Sequence, residues 1–194
     1  MSGLTVERAK EIWTEEMKAV SWPCKAKKKC SIKSWAFPDE EAFSMQSAVI
    51  KMGTMIEKIY NQWAKESAKT KHHVHPNLEI PGEKKKKQID LTYNWKYCEM
   101  KGNVDFDTEK NPAVLEKIKL VAEHLSKESG HKIKGFLLIP TLWETKGYKY
   151  FKKGQKEIAI GVTDFLSDIG LEMSLEEYKG LWEMTGDYAK EQAK

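Results

Sequence analysis

The stretch Lys87-Gln88-Ile89-Asp90-Leu91-Thr92-Tyr93-Asn94-Trp95-Lys96-Tyr97-Cys98-Glu99-Met100-Lys101 constrains this chain more than any other. Ile89, Leu91 and Tyr93 alternate with polar neighbours, which is the period of a strand. A turn at Asn94 to Lys96 leads into a second strand from Tyr97 to Lys101. Side chains at i and i+2 leave a strand on the same face, so Glu99 and Lys101 point the same way. Asp90 lies across the hairpin, where facing side chains come within about 5 Å of each other. An Asp, a Glu and a Lys therefore converge at strand ends, followed by Gly102-Asn103 and then a helix.

Two carboxylates at that distance form an oxygen-rich site suited to a hard divalent cation. A neighbouring lysine holds a water and offsets phosphate charge, so the three groups together equip a site for metal-assisted phosphodiester hydrolysis. The alternative is a half-buried hairpin whose charges are merely solvated.

Asp90 followed by Glu99-Met100-Lys101 resembles the core of the PD-(D/E)xK nucleases, especially small type II restriction endonucleases. The run Gly102-Asn103-Val104-Asp105-Phe106-Asp107-Thr108-Glu109-Lys110 is similar to the segment after the catalytic lysine in many of them. Gln88-Ile89 precedes Asp90, so the proline of the family pattern is absent, a departure the family tolerates. The resemblance implies an α/β (α+β) fold with a restriction-endonuclease-like αβββαβ core. A mixed central sheet would be flanked by helices, with extra helices at both ends. The core would span about residues 39–143 of a single 1–194 nuclease domain. It further implies a Mg²⁺-dependent enzyme, with Mn²⁺ as a substitute, that cuts double-stranded DNA to leave 5′-phosphates. Asp90, Glu99 and the Met100 carbonyl would hold the metal, and Lys101 would orient the attacking water. Glu57 resembles a helix glutamate that supports the metal site in such enzymes, and Asn103 is a DNA-contact candidate. Palindromic sites mirror two-fold protein symmetry, so a homodimer is expected. Three rivals stand beside this reading: a repair or junction-resolving nuclease on the same core, a DNA-binding protein without catalysis, and a metal-free interaction protein, which the triplet disfavours.

At 194 residues the chain suits one domain with a sizeable core. Its net charge of +4 is too mild to name a partner. No apolar run is long enough to span a membrane, and no signal peptide is recognisable. Cys24, Cys30 and Cys98 are odd in number and lack a CxxC spacing, so free thiols in the cytoplasm are expected. A zinc site built from Cys24, Cys30, His72, His73 and His75 has poor spacing.

Along the chain, Thr5 to Val20 reads as a helix with Val6, Ala9, Ile12, Trp13 and Met17 on one face. A second helix, capped by Asp39, runs to about Ser67. Lys69 to Pro81 reads as a loop with exposed histidines, and Leu78 to Ile80 as the first core strand. A helix from Pro112 to Lys127, capped by Asp107 or Asn111, precedes a buried strand from Ile133 to Pro140. The two strands should be parallel neighbours joined by a right-handed crossover. Glu144 to Lys156 is a hairpin or a solvated loop. A strand from Ile158 to Val162, a brief helix to Ile169 and a helix opened by a Ser174–Glu177 capping box complete the chain.

Lysine clusters are the remaining signal. They comprise Lys25, Lys27, Lys28 and Lys29, then Lys84, Lys85, Lys86 and Lys87, then Lys149, Lys152 and Lys153, interleaved with Tyr148, Tyr150 and Phe151. Each is either a solvated loop or a contact to DNA phosphates. Arg8 is the one arginine among 33 Lys and Arg residues. Base recognition by bidentate arginine is therefore scarce, leaving Lys, Asn, Gln and DNA shape to carry it.

Overall fold

The computed structural model of the chain describes residues 3–22, 46–73, 77–83, 85–102 and 110–192. It is a mixed α+β structure. Helix α1 (Val6–Ala19) begins at Thr5, whose hydroxyl accepts the Arg8 N–H at 3.2 Å, and it buries Ala9, Ile12, Trp13 and Met17. Helix α2 (Gln46–Glu66) follows; the Asp39 cap expected for it lies outside the described residues, as do Cys24, Cys30 and Asp107. Among the described residues the strands are β1 (His72–His73), β2 (Asn77–Leu78), β3 (Lys87–Gln88), β4 (Leu91–Tyr93), β5 (Lys96–Met100), β6 (Lys134–Leu138) and β7 (Ala159–Ile160). Helix α3 (Lys110–Ser129) separates β5 from β6, and α4 (Val162–Ile169) and α5 (Leu175–Gln192) close the chain.

The main sheet has the order β1-β4-β5-β6-β7. β1, β4 and β5 are antiparallel in sequence, while β5, β6 and β7 run parallel. The β4–β5 connection is a two-residue hairpin in which Tyr93 pairs with Lys96. Asn94 and Trp95 both take positive φ, at 43° and 60°, as a hairpin turn of the right twist requires. Trp95 occupies a position usually given to glycine, and its ring stacks on His131 at 4.0 Å.

Helices cover both faces of the sheet. One face packs α1, α2, α4 and α5 against Leu91, Tyr93, Cys98, Met100 and Leu138. Its centre is aromatic: Trp63 lies between Tyr60 and Trp13, with centroids 5.5 and 5.9 Å away. The other face packs α3 on Tyr97, Leu137 and Ile139. Gly135 lets α3 approach β6 closely, because a Cβ there would stand 2.5 Å from Ile118 Cγ2. Burial on both faces explains why Leu91, Thr92 and Tyr93 are all buried instead of alternating.

Three expectations need correction. Leu78 to Ile80 is not the first core strand: Asn77–Leu78 pairs with Lys87–Gln88 in a separate two-stranded sheet, and His72–His73 takes the edge beside β4. The strand expected over Ile89 to Tyr93 starts only at Leu91, because Ile89 turns into the α3-side core and Asn61 Nδ2 satisfies the Asp90 carbonyl at 2.7 Å. Asn111 is not a cap; it lies inside α3, buried, and accepts the Gln155 amide at 3.0 Å. Of the two readings left open for residues 144–156, the loop is the one seen: they form turns and no strand. Among the described residues, no helix is long and apolar enough to cross a membrane.

Candidate active site

Strands β5, β6 and β7 end on one edge of the sheet, and carboxyl ends of parallel strands are where open α/β sheets place their ligands. Lys101 leaves β5 at that edge, with its N–H donating to the Leu138 carbonyl at 3.0 Å. The Thr141 hydroxyl donates to the Gly102 carbonyl and ties the next turn to the end of β6.

The Asp, Glu and Lys singled out in the sequence do meet here. Asp90 and Glu99 are only 8% and 3% exposed. Asp90 Oδ2 accepts the Met100 N–H at 2.8 Å, so the carboxylate is fixed across the hairpin. Lys101 Nζ donates to Glu99 Oε1 at 2.6 Å and to the Met100 carbonyl at 3.0 Å. Its ammonium thus lies on two of the three oxygen groups expected to hold a metal.

Three further contributors escaped the sequence reading. Tyr97, two residues before Glu99 on the same strand face, donates its hydroxyl to Glu99 Oε2 at 2.6 Å. Lys117 on α3 reaches the same Oε2 at 2.5 Å. Asn61 on α2 donates to the Asp90 carbonyl and to the Glu57 carbonyl, and its Oδ1 meets His72 Nε2 at 2.9 Å. His72 is therefore half-buried and engaged, not solvated as expected. Asn61 and Lys117 are half-buried, four residues after Glu57 and three after Val114, and neither stands apart from the other polar residues of its helix in the sequence.

Electrostatics separate the carboxyls. Burial pushes Asp90 up, and the neighbouring Glu99 charge adds to the rise. Burial also acts upward on Glu99, but Lys101 and Lys117 outweigh it and hold Glu99 below its usual range. Glu57 lies on the α2 side of the edge, where burial first and Asp90 second raise it from its usual 4.5 to about 7. Such a carboxyl stabilises the fold while protonated, and the stabilisation is lost as pH rises through about 7. Asp90 has the same sign, and the opposite effect of Glu99 acts only in the acid range. The melting temperature of the cation-free protein should therefore fall between about pH 5 and about pH 8, and Glu57→Gln should flatten that fall. An unchanged slope in Glu57→Gln would remove Glu57 from the site.

The donor set fits a hard cation: two carboxylates and a carbonyl, with a protein ammonium already lodged against Glu99 and Met100. Among the described residues no three His, Cys, Asp or Glu side chains form a metal cluster. A cavity of about 120 Å³ beside Lys101 is lined by Glu57, Met52, Met100, Pro140 and Trp182.

The lysine clusters fare differently. Lys25, Lys27, Lys28, Lys29, Lys84 and Asn103 lie outside the described residues. Lys86 pairs with Glu79 at 2.5 Å and Lys87 with Glu83 at 2.8 Å, so carboxylates offset much of that run; Lys85 is exposed. Lys149 and Lys153 are exposed and Lys152 half-buried, in a segment that Gln155 and Asn111 anchor to the start of α3. Tyr150 between them is 78% exposed. Arg8, the one arginine, is held by Glu66, Glu11 and Glu15 at 2.9 to 3.2 Å.

Compared with protein-family models, with curated proteins and with solved structures, the chain matches none.

Proposed function

We propose that the chain is a Mg²⁺-dependent endonuclease of the PD-(D/E)xK type acting on double-stranded DNA. The observation that carries this reading is the meeting of Asp90, Glu99 and Lys101 at the carboxyl end of β5, with Lys101 lodged on Glu99 and Met100 oxygens. The element order supports it: the helix α2, the strands β1, β4 and β5 of the main sheet, the helix α3 and the strand β6 follow an αβββαβ sequence.

Asp90, Glu99 and the Met100 carbonyl would hold the cation. When bound, it supplies charge neutralisation at the phosphate and the leaving oxygen. Lys101, released from the Met100 carbonyl, donates to the attacking water and keeps its lone pair aimed at phosphorus. The ammonium also offsets charge that builds on the phosphoryl oxygens. Glu57, on the α2 side of the same edge, would accept a proton from the water. Water oxygen bonds to phosphorus, the bond to the 3′ oxygen breaks and that oxygen takes a proton, which leaves a 5′-phosphate. A homodimer would present one such site to each strand.

A restriction enzyme cutting at a fixed sequence is the primary form of this reading. The engagement of Arg8 by three glutamates favours a second form, a repair or junction nuclease that reads DNA shape through lysines. Incubation with intact plasmid and with branched or mismatched duplexes separates them: discrete plasmid bands mark the first, and selective cleavage of the irregular duplex marks the second.

Lys149, Lys152 and Lys153 are assigned to the DNA backbone. The triple Lys→Gln variant should weaken specific and non-specific binding alike. It should also flatten the log K versus log salt slope by up to about 0.9 for each phosphate no longer neutralised. A variant with the original slope would place this segment away from DNA.

A further inference from the structure

Glu99 carries more cationic partners than one carboxylate needs. Lys101 and Lys117 approach from opposite elements, the end of β5 and the face of α3, and each takes a different oxygen. The two lysines are not equivalent. Lys101 shares its ammonium between Glu99 Oε1 and the Met100 carbonyl, the place a cation would take. Lys117 contacts Oε2, where the Tyr97 hydroxyl also donates, and its side chain is 21% exposed against 31% for Lys101. A cation held by Glu99 Oε1 and the Met100 carbonyl would therefore take the place of Lys101 and leave the Oε2 side intact.

Until a cation is seated, withdrawal of Lys101 would leave a carboxylate that is 3% exposed without a partner on Oε1, at considerable cost. Lys117 removes that obstacle. We propose that Lys117 is a positioning residue: its ion pair with Glu99 Oε2 persists while Lys101 leaves Oε1, so that Lys101 and a divalent cation exchange at one place. This rests on the nuclease reading of the same site. The α3 helix supplies the geometry, since Lys117 sits between Val114 and Val121 on the face turned to β5 and Gly135 brings that helix close. Without Lys117, Glu99 retains Lys101 as its one ammonium partner among the described residues, and the cation must compete with it.

The test measures Mn²⁺ binding by electron paramagnetic resonance in wild type, Lys117→Met and Lys117→Arg, with Asp90→Asn as the control for the site. Methionine keeps the length and apolar stem of lysine, and thermal melting checks that each variant is folded. Lys117→Met should bind Mn²⁺ at least about tenfold more weakly, as removal of a group orienting a metal ligand does, while Lys117→Arg stays within about threefold of wild type. DNA affinity measured in EDTA, without a divalent cation, should be unchanged in both, because Lys117 acts through Glu99. Mn²⁺ binding in Lys117→Met that equals or exceeds wild type would overturn the proposal, since Lys117 would then be a spectator or a competitor of the cation. Weakened DNA affinity in Lys117→Met would also overturn it, by making Lys117 a DNA contact. Wild type that binds Mn²⁺ no better than Asp90→Asn would instead overturn the nuclease reading, and this inference with it.

Discussion

Asp90→Asn and Lys101→Met should each lower the rate of DNA cleavage at least about 1000-fold, roughly 4 kcal/mol on the barrier. Asparagine keeps an acceptor for the Met100 N–H, which now lies 2.8 Å from Asp90 Oδ2, so the hairpin survives while the anionic oxygen is removed. Lys101→Met removes the ammonium and keeps the stem. Binding to DNA should remain measurable in both, because the lysines assigned to phosphates lie elsewhere. Single-turnover cleavage with parallel binding in Ca²⁺ separates the two quantities. A variant that cuts at more than about a tenth of the wild-type rate would remove that residue from catalysis.

The largest effect on stability is expected at Trp63. Its side chain is fully buried between Tyr60 and Trp13, and its indole N–H donates to the Ala9 carbonyl at 3.1 Å. Trp63→Ala should therefore cost about 3–5 kcal/mol, from forfeited transfer energy, a cavity and the lost indole hydrogen bond. That is a large share of the roughly 5–15 kcal/mol available to a domain of this kind. The consequence reaches the site, because α2 also carries Glu57 and Asn61, and Asn61 holds the Asp90 carbonyl. Denaturant unfolding with an unchanged slope and a lowered midpoint measures it, and a destabilisation below about 1 kcal/mol would contradict this packing account.

The longer helices were legible because their apolar residues recur at helical spacing over about four to six turns. Thr5, the Gly130 and Gly170 stops and the Ser174–Glu177 box all act as their side chains suggest. The Asp90–Glu99–Lys101 convergence was legible because a two-residue hairpin fixes register, and register fixes which side chains share a face. Short strands were not. A pair such as His72–His73 or Asn77–Leu78 carries no period, and which sheet it joins depends on distant partners. Long-range polar contacts were hidden for the same reason. Lys117 reads locally as one more helix lysine, and only the crossover from β5 to β6 brings it onto Glu99. Gln155, fully buried against Asn111, likewise sits in a stretch whose lysines suggest solvent.

The central claim is that the cluster at the end of β5 hydrolyses DNA with a divalent cation. Its most direct test is incubation of the purified protein with supercoiled plasmid in Mg²⁺, in EDTA, and in Mg²⁺ with Asp90→Asn in place of wild type, followed by sequencing of the fragment ends. Cleavage by wild type in Mg²⁺ alone, with 5′-phosphate ends, is the result predicted. Intact plasmid and intact branched duplex in Mg²⁺, or cleavage that persists in EDTA or in Asp90→Asn, would contradict it.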